Sequence, residues 1–209
     1  LLLDEPTRYF ADPYDVVASL DGRYLFVSSS GADMISVVDV AAAYKALAVD
    51  AAGRIGLSDA EIALTARHLG LSSQYVVARI PTGSNPKGMT LSADGRRLYV
   101  ATRLEDAVME IDTQTLMPLR RLDLGGPDHE TLLRKGARVF HYASISFHQQ
   151  MSCNTCHPEN NVDGLTYDIA VDGGMGRNLV DNMTLRGLAE TAPFKWSGKN
   201  PNLQRQEGP

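Results

Sequence analysis

"PYDVVASLDGRYLFVSSSGADMISVVDV", residues 13–40, recurs 73 positions later as "PKGMTLSADGRRLYVATRLEDAVMEIDT", residues 86–113. Pro13 aligns with Pro86, Asp21-Gly22-Arg23 with Asp94-Gly95-Arg96, Phe26-Val27 with Tyr99-Val100 and Asp39 with Asp112. An internal repeat of this kind marks stacked copies of one supersecondary unit. Within each copy, β-branched and aromatic runs are cut by turn residues, Asp-Gly among them, which is the pattern of consecutive hairpins. Each copy therefore predicts a four-stranded antiparallel unit, with strands over about 14–19, 24–29, 35–39 and 75–81, then about 87–91, 97–102, 107–112 and 117–124.

Such units repeat every ~40–45 residues, so the longer offset implies an insertion of about 30. It lies at about 41–72, where the alternation stops and "AAAYKALAVDAAG" (41–53) leads into "SDAEIALTARHLG" (58–70). Ser58 and Glu61 have capping-box spacing, Ile62, Ala66 and Leu69 share a face, and Gly70 is a stop signal, which predicts a short amphipathic helix. The excursion is either decoration or a docking surface for a partner.

"DGRRLYVAT" (94–102), and less closely "DGRYLFVSS" (21–29), resemble the YVTN-type β-propeller family. Propellers close with about four to eight blades. The resemblance thus implies that other chains or further segments complete the ring.

Hydrophobic residues make up 44% and charged residues 22%, enough apolar content for a buried core. No apolar run reaches membrane-spanning length, and "LLLDEPTRYF" lacks the basic start of an export signal, so the expectation is no transmembrane segment and a mature or trimmed chain. All of the net −5 comes from residues 1–128, with 17 acidic against 12 basic, while residues 129–209 carry 8 of each. Neither part has the basic stripe that nucleic acid would require.

Composition changes after the second copy. Residues 129–142 predict a helix starting near Asp128, with Leu132, Leu133, Ala137 and Phe140 as its apolar face; Gly-, Asn- and Ser-rich loops follow. Such a stretch buries little apolar surface unaided, a deficit that a large apolar cofactor would fill. Both cysteines of the chain lie here, in "QQMSCNTCHPENNVDG" (149–164).

Cys153-x-x-Cys156-His157 is the attachment pattern of c-type haem, in which two thiols bond the porphyrin and the adjacent imidazole ligates iron. Three other readings stand beside it. Structural zinc would need His157 together with a distant ligand such as His141 or His148, at no recognised spacing. A thioredoxin-like pair belongs in a βαβ unit, and a plain disulfide leaves the histidine unexplained.

"KGARVFHYASISFHQQMSCNTCHPENNVDG" (135–164) and "TLRGLAETAPFKWSGK" (184–199) resemble the bacterial di-haem cytochrome c peroxidase family, including its fusions to YVTN-type propellers. The matching positions are Gly136, Phe140, Ser146, Ser152 to Pro158, Asp163-Gly164, Thr184-Leu185-Arg186 and Thr191 to Phe194. The chain departs from that family in carrying one attachment motif, and in reading Phe194-Lys195-Trp196 where relatives often place an iron-binding methionine or histidine. Met183, Met175, Met151, His148 and Lys195 are the candidates for a sixth ligand. Arg186 is a candidate partner for a haem propionate, and Phe194 and Trp196 for packing on the porphyrin. Glu190 is a weaker candidate acid/base, and the spacing of Asp163, Asp168 and Asp172 makes no EF-hand loop.

The expected architecture is mixed: a partial β-propeller of about two four-stranded antiparallel blades with a helical insertion (1–128), then a mainly α, loop-rich c-type cytochrome domain (129–209). The expected function is single-electron transfer through one covalent haem c, between protein partners in a periplasmic or otherwise exported assembly. A haem peroxidase or oxidase, and a propeller scaffold with a structural haem, are the alternatives.

Overall fold

The computed structural model describes residues 1–65, 67–126, 129–168, 179–196 and 198–205. Two four-stranded antiparallel meanders form as the repeat predicts. The first comprises β1 (Pro13–Ala18), β2 (Tyr24–Ser29), β3 (Met34–Asp39) and β4 (Val76–Pro81). The second comprises β5 (Pro86–Leu91), β6 (Arg97–Thr102), β7 (Ala107–Asp112) and β8 (Met117–Asp123). Two such blades, stacked face on face, make the fold β-propeller-like.

The same chemistry closes the first hairpin of each blade. Ser19 Oγ donates to Asp21 Oδ1 at 2.6 Å and the Arg23 amide to the same oxygen at 3.0 Å; Ser92, Asp94 and Arg96 repeat both bonds at the same distances. Gly22 and Gly95 both sit at φ +70°, a conformation that glycine adopts without steric cost. The blades diverge at the aligned aspartates. Asp112 accepts from the amides of Gln114 and Thr115, each at 2.9 Å, and turns the chain straight into β8. Asp39 instead accepts from the Ala42 amide at 2.9 Å, capping α1 (Val40–Ala46) and opening the insertion.

Phe26, Ile35, Val37 and Ile80 of the first blade and Leu98, Val100 and Ile111 of the second form one core between the sheets. On the opposite face of the first blade, Leu25, Val27 and Val38 are covered by Ala42, Ala43 and Ala46 of α1, by Leu71 and Tyr75, and by Leu3. The insertion is thus partly a lid on that face. Its second helix, α2 (Asp59–Thr65), has the predicted capping box, with the Ser58 amide 2.8 Å from Glu61 Oε2 and the Glu61 amide 3.4 Å from Ser58 Oγ. It buries no residue, however, and Ile62 is exposed. Gly70 does not end the helix but lies in a 3-10 turn, Leu69–Gln74, and Ala66 lies outside the described residues.

The helix expected over 129–142 is α3 (Leu132–His141), capped by Thr131; Asp128 lies outside the described residues. Its packing meets the expected face only in part: Ala137 and Phe140 are half-buried, but Leu132 and Leu133 are 87% and 85% exposed, and arginines make the polar contacts. Arg134 pairs with Asp106 at 2.5 Å, and Arg138 donates from Nε and Nη2 to the Leu104 carbonyl at 3.1 and 2.9 Å. Carbonyls and a carboxylate crowd the β6–β7 turn, so guanidinium groups satisfy it where leucines would strand them. The chain then crosses to the first blade, where the Ala143 amide donates to the Gly31 carbonyl at 2.8 Å.

Residues 1–153 form one compact unit and 154–209 another. Among the described residues of the second are β9 (Thr166–Asp168) paired antiparallel with β10 (Leu179–Asp181), and several 3-10 turns. Among the described residues the expectation of a mainly α segment is met by α3 and the single turn α4 (Cys153–Cys156) alone; Gly, Asn and Pro, poor helix formers, recur between the short 3-10 turns. Among the described residues no helix is long and apolar enough to cross a membrane.

Candidate functional site

The run from α3 to the cysteines is tied to the first blade. Ser152 is buried and its hydroxyl donates to Asp12 Oδ2 at 2.5 Å. His148 Nδ1 donates to the Thr7 carbonyl at 2.9 Å, which fixes its tautomer, and Met151 is exposed. His141 is buried against Arg103, 3.0 Å from its guanidinium. Neither histidine lies on the cysteine turn.

Cys153 and Cys156 stand three positions apart on α4, a spacing that brings side chains to one helical face. They are not joined by a disulfide; Cys153 is exposed and Cys156 half-buried. His157 leaves the helical conformation immediately afterwards, and its Nδ1 is buried with no hydrogen-bond partner.

Long-range bonds fold the segment after β10 onto this turn. Asn182 donates its side-chain amide to the Cys156 carbonyl. The Leu185 amide donates to the Asn160 carbonyl at 3.0 Å, and Arg186 Nη2 to the Glu159 carbonyl at 3.1 Å. Half-buried Met183 and exposed Arg186 are thereby carried on a segment bonded to the cysteine turn and its continuation. Phe194 is half-buried in a bridge to Asn200, Lys195 is half-buried, and exposed Trp196 donates its indole N–H to the Asp181 carbonyl at 2.8 Å. Glu190 is exposed, and Met175 and Asp172 lie outside the described residues.

Two features of the turn were not singled out from sequence. Asn182 is one. The other is Tyr167, whose hydroxyl donates to Asp163; that bond, and a second to Cys156, hold the phenol well above its usual range, while Asp163 is lowered by the same contact. Asn182 reaches Cys156 across 26 residues, a separation that no local pattern reveals, whereas Tyr167 and Asp163 lie four residues apart. Among the described residues no group of three or more His, Cys, Asp or Glu side chains is gathered to hold a metal ion.

No protein-family model matches the chain. Hydrazine synthase subunit beta of Kuenenia stuttgartiensis is 30% identical over 113 residues, which is 54% of this chain and 28% of that protein. The chain thus spans little more than a quarter of the curated relative it matches. Among solved structures, Kuenenia stuttgartiensis hydrazine synthase is 19% identical, covering 60% of this chain and 25% of that one, with a TM-score of 0.38. The Pseudomonas aeruginosa periplasmic gluconolactonase PpgL is 27% identical over 56% of this chain and 28% of its own, with a TM-score of 0.39. The dihydro-haem d1 dehydrogenase NirN, in complex with DHE, is 18% identical over 59% and 20%, with a TM-score of 0.37.

Proposed function

We propose that the chain is the haem-bearing electron-transfer segment of an exported redox assembly, with one c-type haem joined to Cys153 and Cys156 and its iron ligated by His157. The observation that carries this reading is a pair of unbridged thiols on one helical turn, followed directly by a histidine whose Nδ1 is buried and unpaired. These residues fit the group: the thiols share a face, and His157 follows them directly, where its imidazole could ligate the iron. Bound there, the haem supplies a one-electron iron couple.

The chain's own residues would do the rest. Asn182 steadies the Cys156 carbonyl, and Tyr167 with Asp163 sets a polar flank beside the Cys156 sulfur. Met183 would supply the further ligand to the iron, Arg186 would pair with a propionate, and Phe194 and Trp196 would pack against the porphyrin. The cytochrome function belongs to residues 129–209 and the scaffold to 1–128. Further segments or other chains complete the propeller, a redox protein exchanges the electron, and covalent haem attachment places the protein outside the cytoplasm. A relative that is itself a subunit supports an assembly.

Intact mass and EPR spectra of the native protein test the reading. The expected result is a mass increment of one haem, lost when both Cys153→Ala and Cys156→Ala are present, with low-spin iron in both oxidation states. Absence of a covalent increment refutes the proposal. High-spin ferric iron that reacts with peroxide transfers the assignment to a peroxidase.

A further inference from the structure

A cleft of about 310 Å³ lies where three parts of the first compact unit meet: the β2–β3 turn at Asp33, the β4–β5 turn at Ser84, and the end of α3 with the turn after it, which contribute Val139, Tyr142 and Ile145. That size suits a small organic ligand. Val139 and Ile145 are 57% and 69% exposed, apolar side chains left open in a concave site. The acidic group is Asp33, half-buried, with Oδ1 accepting from the Asn85 amide at 2.7 Å.

We propose that this cleft binds a primary ammonium group carried on a short apolar body, with Asp33 as its counter-ion. Charge and shape favour that class over its rivals. Arg138 also lines the cleft, but its guanidinium is already committed, to the Leu104 carbonyl through Nε and Nη2 and to Glu130 at 3.2 Å through Nη1. An anion would therefore find only neutral hydroxyls beside a guanidinium whose charge is already compensated. A metal ion would want several hard ligands, and the described residues gather no such group. An ammonium needs acceptors on one side and tolerates an apolar wall on the other. Asp33 Oδ2 and the hydroxyls of Ser84 and Tyr142 offer the first, and Val139, Ile145 and the Tyr142 ring the second.

The field around Asp33 points the same way. Burial pushes its carboxyl up to about 6; the Asn85 amide opposes that, Glu105 adds to it, and Arg138 lowers it by less than these. The carboxylate is ionised at neutral pH but poorly compensated, the condition in which an incoming cation gains most. The site is independent of the haem, since every residue that builds it belongs to residues 1–153.

Titration of ¹⁵N-labelled full-length protein with benzylamine, followed by amide chemical shifts, tests the proposal. Shifts are expected at Asp33, Ser84 and Tyr142, with affinity falling about tenfold from pH 7.5 to pH 5 as the Asp33 carboxylate takes up a proton. Asp33→Asn, which keeps an oxygen for the Asn85 amide, should abolish saturation. Ile145→Lys, at an exposed wall position, should block the cleft with its own ammonium in a chain that still folds. Benzyl alcohol binding as tightly as benzylamine, an unchanged Asp33→Asn titration, or shifts confined to other surfaces would each overturn it.

Discussion

Leu98→Ala is the sharpest test of how the blades are joined. Leu98 is fully buried on β6, in a core that it shares with Phe26, Ile35, Val37 and Ile80 of the other blade. Truncation removes three carbons, roughly 2.4 kcal/mol of transfer free energy at about 0.8 per methylene. The cavity left behind raises the cost to about 3–5 kcal/mol. Against a stability on the order of 10 kcal/mol, and a urea slope of about 2 kcal/mol per molar, the midpoint should fall by about 1.5–2.5 M. Far-UV circular dichroism in urea reads the midpoint, and amide hydrogen exchange reads each blade separately. Because the core is shared, strands β2 and β3 should lose as much protection as β6 and β7. The control is Leu119→Ala, the same deletion at a half-exposed position, expected to cost less than about 0.5 kcal/mol. A loss below about 1 kcal/mol for Leu98→Ala, or loosening confined to the second blade, would show that the blades are not one cooperative body.

Other expectations concern single contacts. Ser58→Ala removes the α2 cap and should destabilise that helix by about 0.5–2 kcal/mol; since α2 buries nothing, the loss should show in the exchange of its amides while the global urea midpoint stays put. Asp33 has a folded value of about 6 against an ordinary 3.8, so the folded state holds its proton more tightly. Its contribution is therefore greatest below about pH 4 and is lost as pH rises through about 6; Asp33→Asn should flatten that decline and gain about 1–2 kcal/mol at pH 7, allowing for partial exposure. Glu110, buried on β7, lies 3.3 Å from Arg97 and 2.6 Å from Arg120. Glu110→Ala should cost about 2 kcal/mol, because Arg97 keeps Asp112 at 2.7 Å while Arg120 merely returns to water; thermal melts with Arg120→Ala as the second arm of a double-mutant cycle measure the coupling.

The run from α3 to Ser152 is tied to the rest of the first compact unit by a series of polar contacts. Arg134, Arg138 and His141 anchor α3 to the β6–β7 turn, Ala143 reaches Gly31, and Ser152 reaches Asp12. Each is a directional polar contact, made to a backbone carbonyl by Arg138 and Ala143 and to a side chain by Arg134, His141 and Ser152. A strap held this way is fixed in register, which apolar packing alone would leave free to slide.

What the sequence determined by itself was local. The eight strands, the paired Ser-x-Asp-Gly-Arg turns, the capping box at Ser58 and the Cys153-x-x-Cys156-His157 turn all depend on neighbours within a few residues, where side-chain spacing and backbone preference act directly. Only the tertiary structure decided which residues of α3 would pack: Ala137 and Phe140 are half-buried as their spacing implies, but Leu132 and Leu133 stay exposed where the β6–β7 turn offers carbonyls and Asp106 for arginines to satisfy. It also decided that α1 and Leu71 would cover the first blade while α2 stayed exposed, and that Asn182 would reach the Cys156 carbonyl. Those outcomes depend on which polar groups are left without partners once distant segments meet, a quantity that no short window of sequence contains.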